Sequence, residues 1–560
     1  MLKHIPALTL FVLIGPVLAG LLGALLPAFG ILPTLGGTQA TLAYFEDVFT
    51  TPGVIRSSCI SLFVGLLTTA ISLSIVMTLI AGWQGTRFFK ALQSLLSPLL
   101  SVPHAAAAFG LAFLIAPSGW LMRLFSPWAT GISRPPDWLI VNDPMALSMM
   151  AGLIAKEVPF LLLVALAALP QSDARQKANL ASTLGYGPIV GFYKTTFPLV
   201  YRQIRLPVLA VLAYATSVVD VAIILGPTTP PPLSVRLLQW MNDPEISERF
   251  KASAGAQVQL CVTAAALLVW LLGERLINYF GFRSIAKGGR HFADQIFRKI
   301  IAVLAVISSA LVLAGIAVLG IWSIAGFWRF PNALPNTFTL DIWARQGMGL
   351  ETPLQNTLLI GIAATLVAVT LTLACLEQET RSGKTVSSRA LLLLYVPLIV
   401  PQVSFLFGLE VLALQLGGKA HITSVILTHV IFVLPYVYLS LANPWRAWDK
   451  RYAAVAFSMG HGPNTVFWRV RIPMLLSAIL TAAAVGFAVS IGQYLATLLI
   501  GGGRFPTITT EAVALASGGD RRVIGVYALI QAVLPFIGFG LALFVPAILY
   551  RNRRALKATA

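Results

Sequence analysis

Two stretches, ANLASTLGYGPIVGFYKTTFP (Ala178–Pro198) and AAVAFSMGHGPNTVFWRVRIP (Ala453–Pro473), lie 275 residues apart in a chain of 560. Aligned without gaps they share seven of 21 positions: Ala178 with Ala453, Ala181 with Ala456, Gly185 with Gly460, Gly187 with Gly462, Pro188 with Pro463, Phe192 with Phe467 and Pro198 with Pro473. Lys194 faces Arg469 in the same register. Each copy starts with small and apolar residues that suit a short helix. It then meets Gly-x-Gly-Pro, which forces a turn because glycine reaches φ > 0 and proline cannot continue a helix from within. A second short helix is expected after the turn. Its aromatic pairs, Phe192-Tyr193 and Phe467-Trp468, are expected to form an apolar tip with a charged rim, a shape suited to a groove on a partner protein.

The surroundings of the two copies are apolar. Hydrophobic residues make up 57% of the chain and charged ones 11%, against roughly 25% charged in ordinary soluble domains. Runs long enough to cross about 30 Å of hydrocarbon occur near 5–29, 55–82, 91–116, 145–170, 207–226 and 252–273, then near 300–325, 354–376, 389–416, 421–443, 474–500 and 523–549. They lack the alternation of barrel strands, so helices are expected, because a spanning segment must satisfy its own backbone hydrogen bonds. The first run is too long for the apolar core of a secretory signal.

These readings give an all-α polytopic membrane protein of about 12 transmembrane helices in two parallel homologous six-helix halves. The first half is 1–275, with its repeated loop at 171–206; a basic cytoplasmic linker follows at 276–299; the second half is 300–560, with its loop at 444–473. Pro103 and Gly110 match Pro401 and Gly408 at equal spacing, and Thr51-Pro52 resembles Thr352-Pro353, so the whole bundle repeats. An even number of crossings separates the loops, which places both on one face. Of the 39 Lys and Arg, 26 fall on the termini and loops of that face and 12 on the other. By the positive-inside rule both termini and both loops are cytoplasmic. The net charge of +19 is thus a matter of topology, and no hydrophilic domain is present to bind nucleic acid.

Cys59, Cys261 and Cys375 lie in apolar runs and suggest packing, with no disulfide framework or thiolate metal site. The histidines show no HExxH spacing. The nearest phosphate-loop lookalike, Ser382-Gly383-Lys384-Thr385, has Gln378 where the first glycine belongs. No ATP or magnesium site is therefore expected in this chain. Lys156, Glu157, Asp220 and Glu410 are expensive in hydrocarbon and are expected to face the bundle interior. Lys156 and Glu157 diverge by about 100° on a helix and should meet different partners. Asp220 in SVVD corresponds to Gln493 in SIGQ. The stretches GPTTPPPLS from Gly226 and GGGRFPTIT from Gly501 read as irregular external loops.

The paired loops resemble the EAA loop of ABC importer permeases, and the duplicated layout is similar to fused, binding-protein-dependent permeases of the ferric iron and thiamine type. That resemblance implies several things. Ala181, Gly185, Gly187, Pro188, Phe192 and Lys194, with Ala456, Gly460, Gly462, Pro463, Phe467 and Arg469, would couple to a separate cytoplasmic ABC ATPase, in two copies, which binds ATP and magnesium. A periplasmic solute-binding protein would dock on the opposite face, with the proline- and glycine-rich external stretches as gate or docking surface. Lys156, Glu157, Asp220, Glu410 and Gln493 would be candidates for the pathway. The chain would reside in a bacterial inner membrane and would not itself be an enzyme. It departs from the family at Asn179 and Ala454, where an acidic residue is usual, and Arg175, Lys177, Lys450 and Arg451 could supply contacts instead. An ion-gradient-coupled carrier with twelve helices is the alternative, and it needs a relay of ionisable groups across the membrane. A lipid-modifying membrane enzyme would need a catalytic cluster at one interface.

Overall fold

A computed structural model of the chain describes residues 2–290, 294–383 and 388–551, and it is helical, with no β-strand among the described residues. In the first half Ile5–Ala28 (α1), Ala43–Thr50 (α2) and Val54–Trp83 (α3) lead to Arg87–Leu99 (α4), His104–Ile115 (α5), Trp120–Phe125 (α6) and Leu147–Ala168 (α7). The repeated loop forms Ala174–Thr183 (α8) and Pro188–Thr195 (α9). Phe197–Ser217 (α10), Asp220–Leu225 (α11), Leu233–Met241 (α12) and Glu248–Ala286 (α13) complete the half.

The second half runs through the same order. Asp294–Ser323 (α14) and Asp341–Ser382 (α15) are followed by Ser388–Ile399 (α16), Gln402–Gln415 (α17) and Ile422–Ala447 (α18). Its loop holds Arg451–Ser458 (α19), Pro463–Val466 (α20), a π-helical turn at Phe467–Arg471 and Ile472–Met474 (α21). Leu476–Ile491 (α22), Leu495–Gly501 (α23), Ile508–Ala514 (α24) and Arg521–Leu549 (α25) close the chain. The segment 276–299 expected as a linker is mostly helix: α13 extends to Ala286, and α14 starts at Asp294.

Among the described residues nine helices are long and apolar enough to cross a membrane, or eleven when each of two bent pairs counts as one. The remaining expected crossing, 207–226, is α10 with α11; its loop end carries Arg202 and Arg205, and it breaks at Val218–Val219. Four expected continuous helices are in fact broken. The run 91–116 parts before Pro103, 389–416 bends by 86° before Pro401, 207–226 breaks ahead of Asp220, and 474–500 breaks at Gly492. Proline lacks the N–H that would continue the hydrogen-bond ladder, so the breaks at Pro103 and Pro401 are written into the repeat. The Thr-Pro pairs behave differently. Gly53, at φ +81°, interrupts the chain after Thr51-Pro52, whereas Pro353 lies inside the continuous α15.

Large apolar side chains such as Phe11, Phe63, Leu366 and Leu543 are exposed on the outside of the bundle, while Ser57, Thr68, Thr69 and Ser72 of α3 are buried. That arrangement suits a lipid surround, where helices pack through small residues rather than through an apolar core hidden from water. The first helix of each half lies against the other half: α1 packs along α17, and α14 along α5. Glycines make both approaches possible. A methyl at Gly20 would overlap the carbonyl oxygen of Phe405, one at Gly23 the carbonyl oxygen of Gly408, and one at Gly110 the backbone of Gly315. The matched glycines Gly110 and Gly408 are thus the two crossing points between halves.

Candidate functional site

The two repeated loops fold into helical hairpins with the same turn. Gly185 and Gly460 both have φ +79°. Gly185 N–H donates to the Ser182 carbonyl and Tyr186 N–H to that of Ala181, both at 3.0 Å; Gly460 N–H donates to Phe457 at 3.0 Å and His461 N–H to Ala456 at 3.1 Å. This is the double hydrogen bond of a Schellman motif, which needs a residue in the left-handed region after the helix, and glycine adopts it without strain. Gly187 and Gly462 then turn into extended backbone, and Pro188 and Pro463 take the first helical position, where a missing N–H costs nothing. Ala181 and Ala456 are buried, and the Cβ of Ala181 faces Gly191 of α9, so small residues set the close approach of the two arms.

The apolar tip differs from the one expected. Phe192 is buried, and the hydroxyl of Tyr193 shares a 2.8 Å hydrogen bond with Thr78 of α3, so this pair anchors the hairpin inward. In the second hairpin Phe467 is half-buried beside Trp445, and Trp468 alone of the two is exposed. The exposed tips are Leu180 on α8 with Leu184 just after it and, at the matching positions, Val455 on α19 with Met459 just after it. Helical periodicity in the first arm carries this signal: Leu180 and Leu184 are four apart and share a face. Asn179 and Ala454 lie beside them, exposed. The side chain of Arg175 lies outside what is described, as do Lys384 and Thr385 of the phosphate-loop lookalike.

The hairpins are held by different chemistry. At the first, Gly187 N–H donates to the Arg290 carbonyl (3.0 Å), Ile189 N–H to Oδ2 of Asp294 (3.1 Å) and Lys194 Nζ to the Gly289 carbonyl (2.8 Å), so the inter-half segment clasps it. At the second, Glu377 of α15 binds Arg471 (2.8 Å) and Arg381 (2.6 Å); Arg381 also donates to Asn464 of α20 (3.0 Å). The Arg471 guanidinium is buried between the rings of Trp445 and Trp448.

Within the bundle, Lys156 and Glu157 have different partners. Lys156 Nζ donates to the carbonyls of Leu99 (2.7 Å) and Leu100 (3.4 Å), the orphan acceptors at the end of the broken α4. Glu157 meets Nε2 of His104 at 3.2 Å, on the first turn of α5. Asp220 opens α11 and lies within electrostatic reach of His104; its carboxylate takes backbone N–H groups of its own helix start. Tyr214, whose ring is 4.9 Å from that of His104, lies within electrostatic reach of Asp220, Glu157 and Tyr436 of the other half. Tyr494, beside Gln493 at the α22–α23 break, lies within electrostatic reach of Asp220. Glu410 stands apart on α17, half-buried, within electrostatic reach of Arg249. Glu157, Asp220 and the neighbourhood of Gln493 therefore come together, and Lys156 and Glu410 point elsewhere. His104 and the tyrosines escaped the sequence reading because only folding joins them; the one hint was that His104 follows the repeated Pro103.

The proline- and glycine-rich stretches lead into the short helices α12 and α24. Leu233 N–H at the start of α12 donates to Ser61 Oγ (3.1 Å), and Ile508 N–H at the start of α24 donates to Thr357 Oγ1 (3.0 Å). Each half thus seats its short helix on a hydroxyl of its second span. Of the cysteines, Cys59 and Cys261 are on exposed faces and Cys375 is half-buried, so packing does not account for the first two. Among the described residues no His, Cys, Asp and Glu group could hold a metal ion.

A duplicated bundle of spanning and broken helices with paired loop hairpins is the architecture of a transport permease, and the chain belongs to the ABC transporter permease family. The family profile described as "Binding-protein-dependent transport system inner membrane component" matches residues 367–551. The inner membrane ABC transporter permease protein YnjC of Escherichia coli K12 is 30% identical over 525 residues, covering 91% of this chain and 92% of that protein. The molybdenum transport system permease protein ModB of Mycobacterium tuberculosis is 30% identical over 183 residues, 29% of this chain and 68% of ModB. The spermidine/putrescine transport system permease protein PotC of Haemophilus influenzae is 25% identical over 171 residues, 30% of this chain and 65% of PotC. Most of a single permease thus aligns with under a third of this chain, as expected of a fused two-half protein. It is a multi-pass inner-membrane transport subunit.

Proposed function

We propose that this chain forms the translocation pathway of an ABC importer and takes its energy from two copies of a cytoplasmic ATPase seated on the α8–α9 and α19–α20 hairpins. The observation that carries this reading is the pair of Schellman turns at Gly185 and Gly460, each presenting exposed apolar residues on the face enriched in Lys and Arg. Neither membrane orientation nor loop solvation requires two such turns. Because Asn179 and Ala454 replace acidic residues, docking here rests on apolar burial by Leu180, Leu184, Val455 and Met459 rather than on an ion pair. ATP and magnesium belong to the partner. ATP-driven closure of the paired ATPases would draw the two hairpins together and reorient the halves, and a soluble solute-binding protein would deliver cargo at the α12 and α24 face.

The test is Leu184→Glu combined with Met459→Glu. Both positions are solvent-exposed, so the melting temperature should stay within about 2 °C, while co-purification of the ATPase and solute uptake are lost. Retained co-purification and uptake would remove the hairpins from the coupling path, as would full activity after Gly185→Pro with Gly460→Pro. Uphill solute transport by the purified chain alone in sealed vesicles, driven by an ion gradient, would establish the rival carrier reading.

A further inference from the structure

Where α4 of the first half lies against α14 of the second, a groove of about 350 Å³ opens, lined by Phe88, Ala91, Leu92, Ser94, Leu95 and Val306. The sequence of α4 explains its shape. Phe89, Leu92, Leu96 and Leu99 recur at three and four residues and are buried, so that stripe faces the bundle. Ala91 and Leu95, on the flank of the stripe, are exposed, and the small side chain of Ala91 fills little of the space beside Val306. In an inner-membrane protein an open groove with such walls meets the hydrocarbon of lipid, which is as apolar as leucine.

One end of the groove is charged. The indole N–H of Trp83, the last residue of α3, donates to the Arg298 carbonyl of α14 (3.0 Å). The Trp83 ring lies 4.8 Å from that of Phe88, a groove wall, and carries the Arg298 guanidinium 4.9 Å from its centre. A tryptophan at the end of a span marks headgroup depth. The Arg298 side chain also packs over Gly82, where a methyl would crowd its Cγ. It is thus fixed in place, yet no guanidinium N–H has a hydrogen-bond partner among the described residues, and Nε is buried in that state. Arg87 and Lys90 flank Phe88 on the first turn of α4, Lys299 follows Arg298, and all three are exposed. None of these four cations is paired with a carboxylate among the described residues. Asp294, one turn before Arg298, accepts from Ile189 N–H at the first hairpin. Val306 is eight residues past Arg298, roughly 12 Å along the helix, a spacing that suits the phosphate and upper acyl chain of one phospholipid. A zwitterionic headgroup would bring its own cation to a place with no carboxylate to receive it, whereas an anionic one brings only the phosphate.

We propose that the α4–α14 groove is a selective site for one anionic phospholipid, its phosphate on Arg298 with Arg87 and Lys90 around it and an acyl chain along Phe88, Ala91, Leu95 and Val306. Seated there, the lipid bridges the two halves beside the segment that ends at the break before Pro103. The purified full chain in detergent is titrated with dioleoylphosphatidylglycerol and, in parallel, with dioleoylphosphatidylcholine, and bound lipid is counted by native mass spectrometry. One phosphatidylglycerol should bind about tenfold more tightly than phosphatidylcholine. Arg298→Gln should weaken it about fivefold, the effect of one basic residue at the membrane surface, as should Arg87→Gln combined with Lys90→Gln. Ala91→Trp fills the groove from an exposed position and should abolish the site. Inorganic phosphate, with ionic strength matched by chloride, should not displace the lipid. Should Arg298→Gln fail to fold, the variants at the exposed Arg87, Lys90 and Ala91 still decide the matter. Equal binding of the two lipids, or phosphatidylglycerol affinity unchanged in every folded variant, would overturn the proposal. Displacement by inorganic phosphate would assign the cluster to a free anion and overturn it too. The measurement involves no ATPase, so its outcome is separate from that of the hairpin assignment.

Discussion

The two hairpins share a backbone and differ in what holds them. At the turn Gly185 and Gly460 share the same φ, and carbonyls at matching positions accept the matching N–H groups. Behind the turn, the first hairpin leans on backbone carbonyls and one carboxylate from the inter-half segment, whereas the second is bolted to α15 through the buried Glu377 and Arg471, with the exposed Arg381 beside them. Local sequence instructions therefore survived duplication where the turn needs them, and anchoring diverged where each half has different neighbours. A hairpin clasped by a connector follows that connector. One bolted to a spanning helix moves with the helix.

Removing the bolt should have the largest effect. Glu377→Ala leaves Arg471 buried between two tryptophans without its carboxylate, and breaking a buried pair in this way costs about 3 kcal/mol. Hydrogen exchange should accelerate over 451–471 and stay unchanged over 174–195. Gly185→Ala and Gly460→Ala each force a side chain into the left-handed region, at about 1 to 2 kcal/mol. Neither added Cβ meets an atom closer than 3.6 Å, so the two losses in thermal stability should be equal, and unequal losses would show that the turns are not equivalent. Asp294→Ala removes the carboxylate that caps α9 and should cost about 1 kcal/mol, with faster exchange confined to 188–195. The smallest effect is an acid one. Asp449 accepts from the side chain and backbone N–H of Arg451, which holds its carboxyl below the usual carboxylate range. A depressed folded value means that the contribution is present above the unfolded value and lost as pH falls through the folded one. Acidification below about pH 4 should therefore loosen the start of α19, where Arg451 donates to the Asp449 carboxylate, and Asp449→Asn should flatten that response.

The features legible in the sequence were those encoded within a few residues. Gly-x-Gly-Pro specified both turns, and the apolar runs specified the spans. Pro103 and Pro401, matched by spacing, mark breaks that hydropathy alone passes over, because a proline inside an apolar run leaves the average unchanged. The tip of the hairpins was misassigned to Phe192 and Tyr193. Aromatic residues beside a basic one suit an exposed plug and an inward anchor equally well, and Thr78, which settles the matter, is 115 residues away. The buried polar site was half visible. Glu157 and Asp220 are conspicuous in apolar helices, but Tyr214, Tyr436 and Tyr494 look like ordinary membrane tyrosines until packing joins the halves. Lys156 closes the end of a broken helix, a need that exists only once the break does.

The glycine crossings have a mechanical consequence. Where α1 meets α17 and α14 meets α5, the backbones come close enough that an added methyl would overlap main-chain atoms, with only the small Ala24 and the Leu412 Cβ beside the first crossing. Each works as a fulcrum, and since every half lends its leading helix to the other, neither half can swing without carrying a piece of its counterpart. Under the proposed reorientation these crossings would act as two fixed pins, and a single methyl at Gly110 or Gly408 should seize the joint while leaving both blades intact.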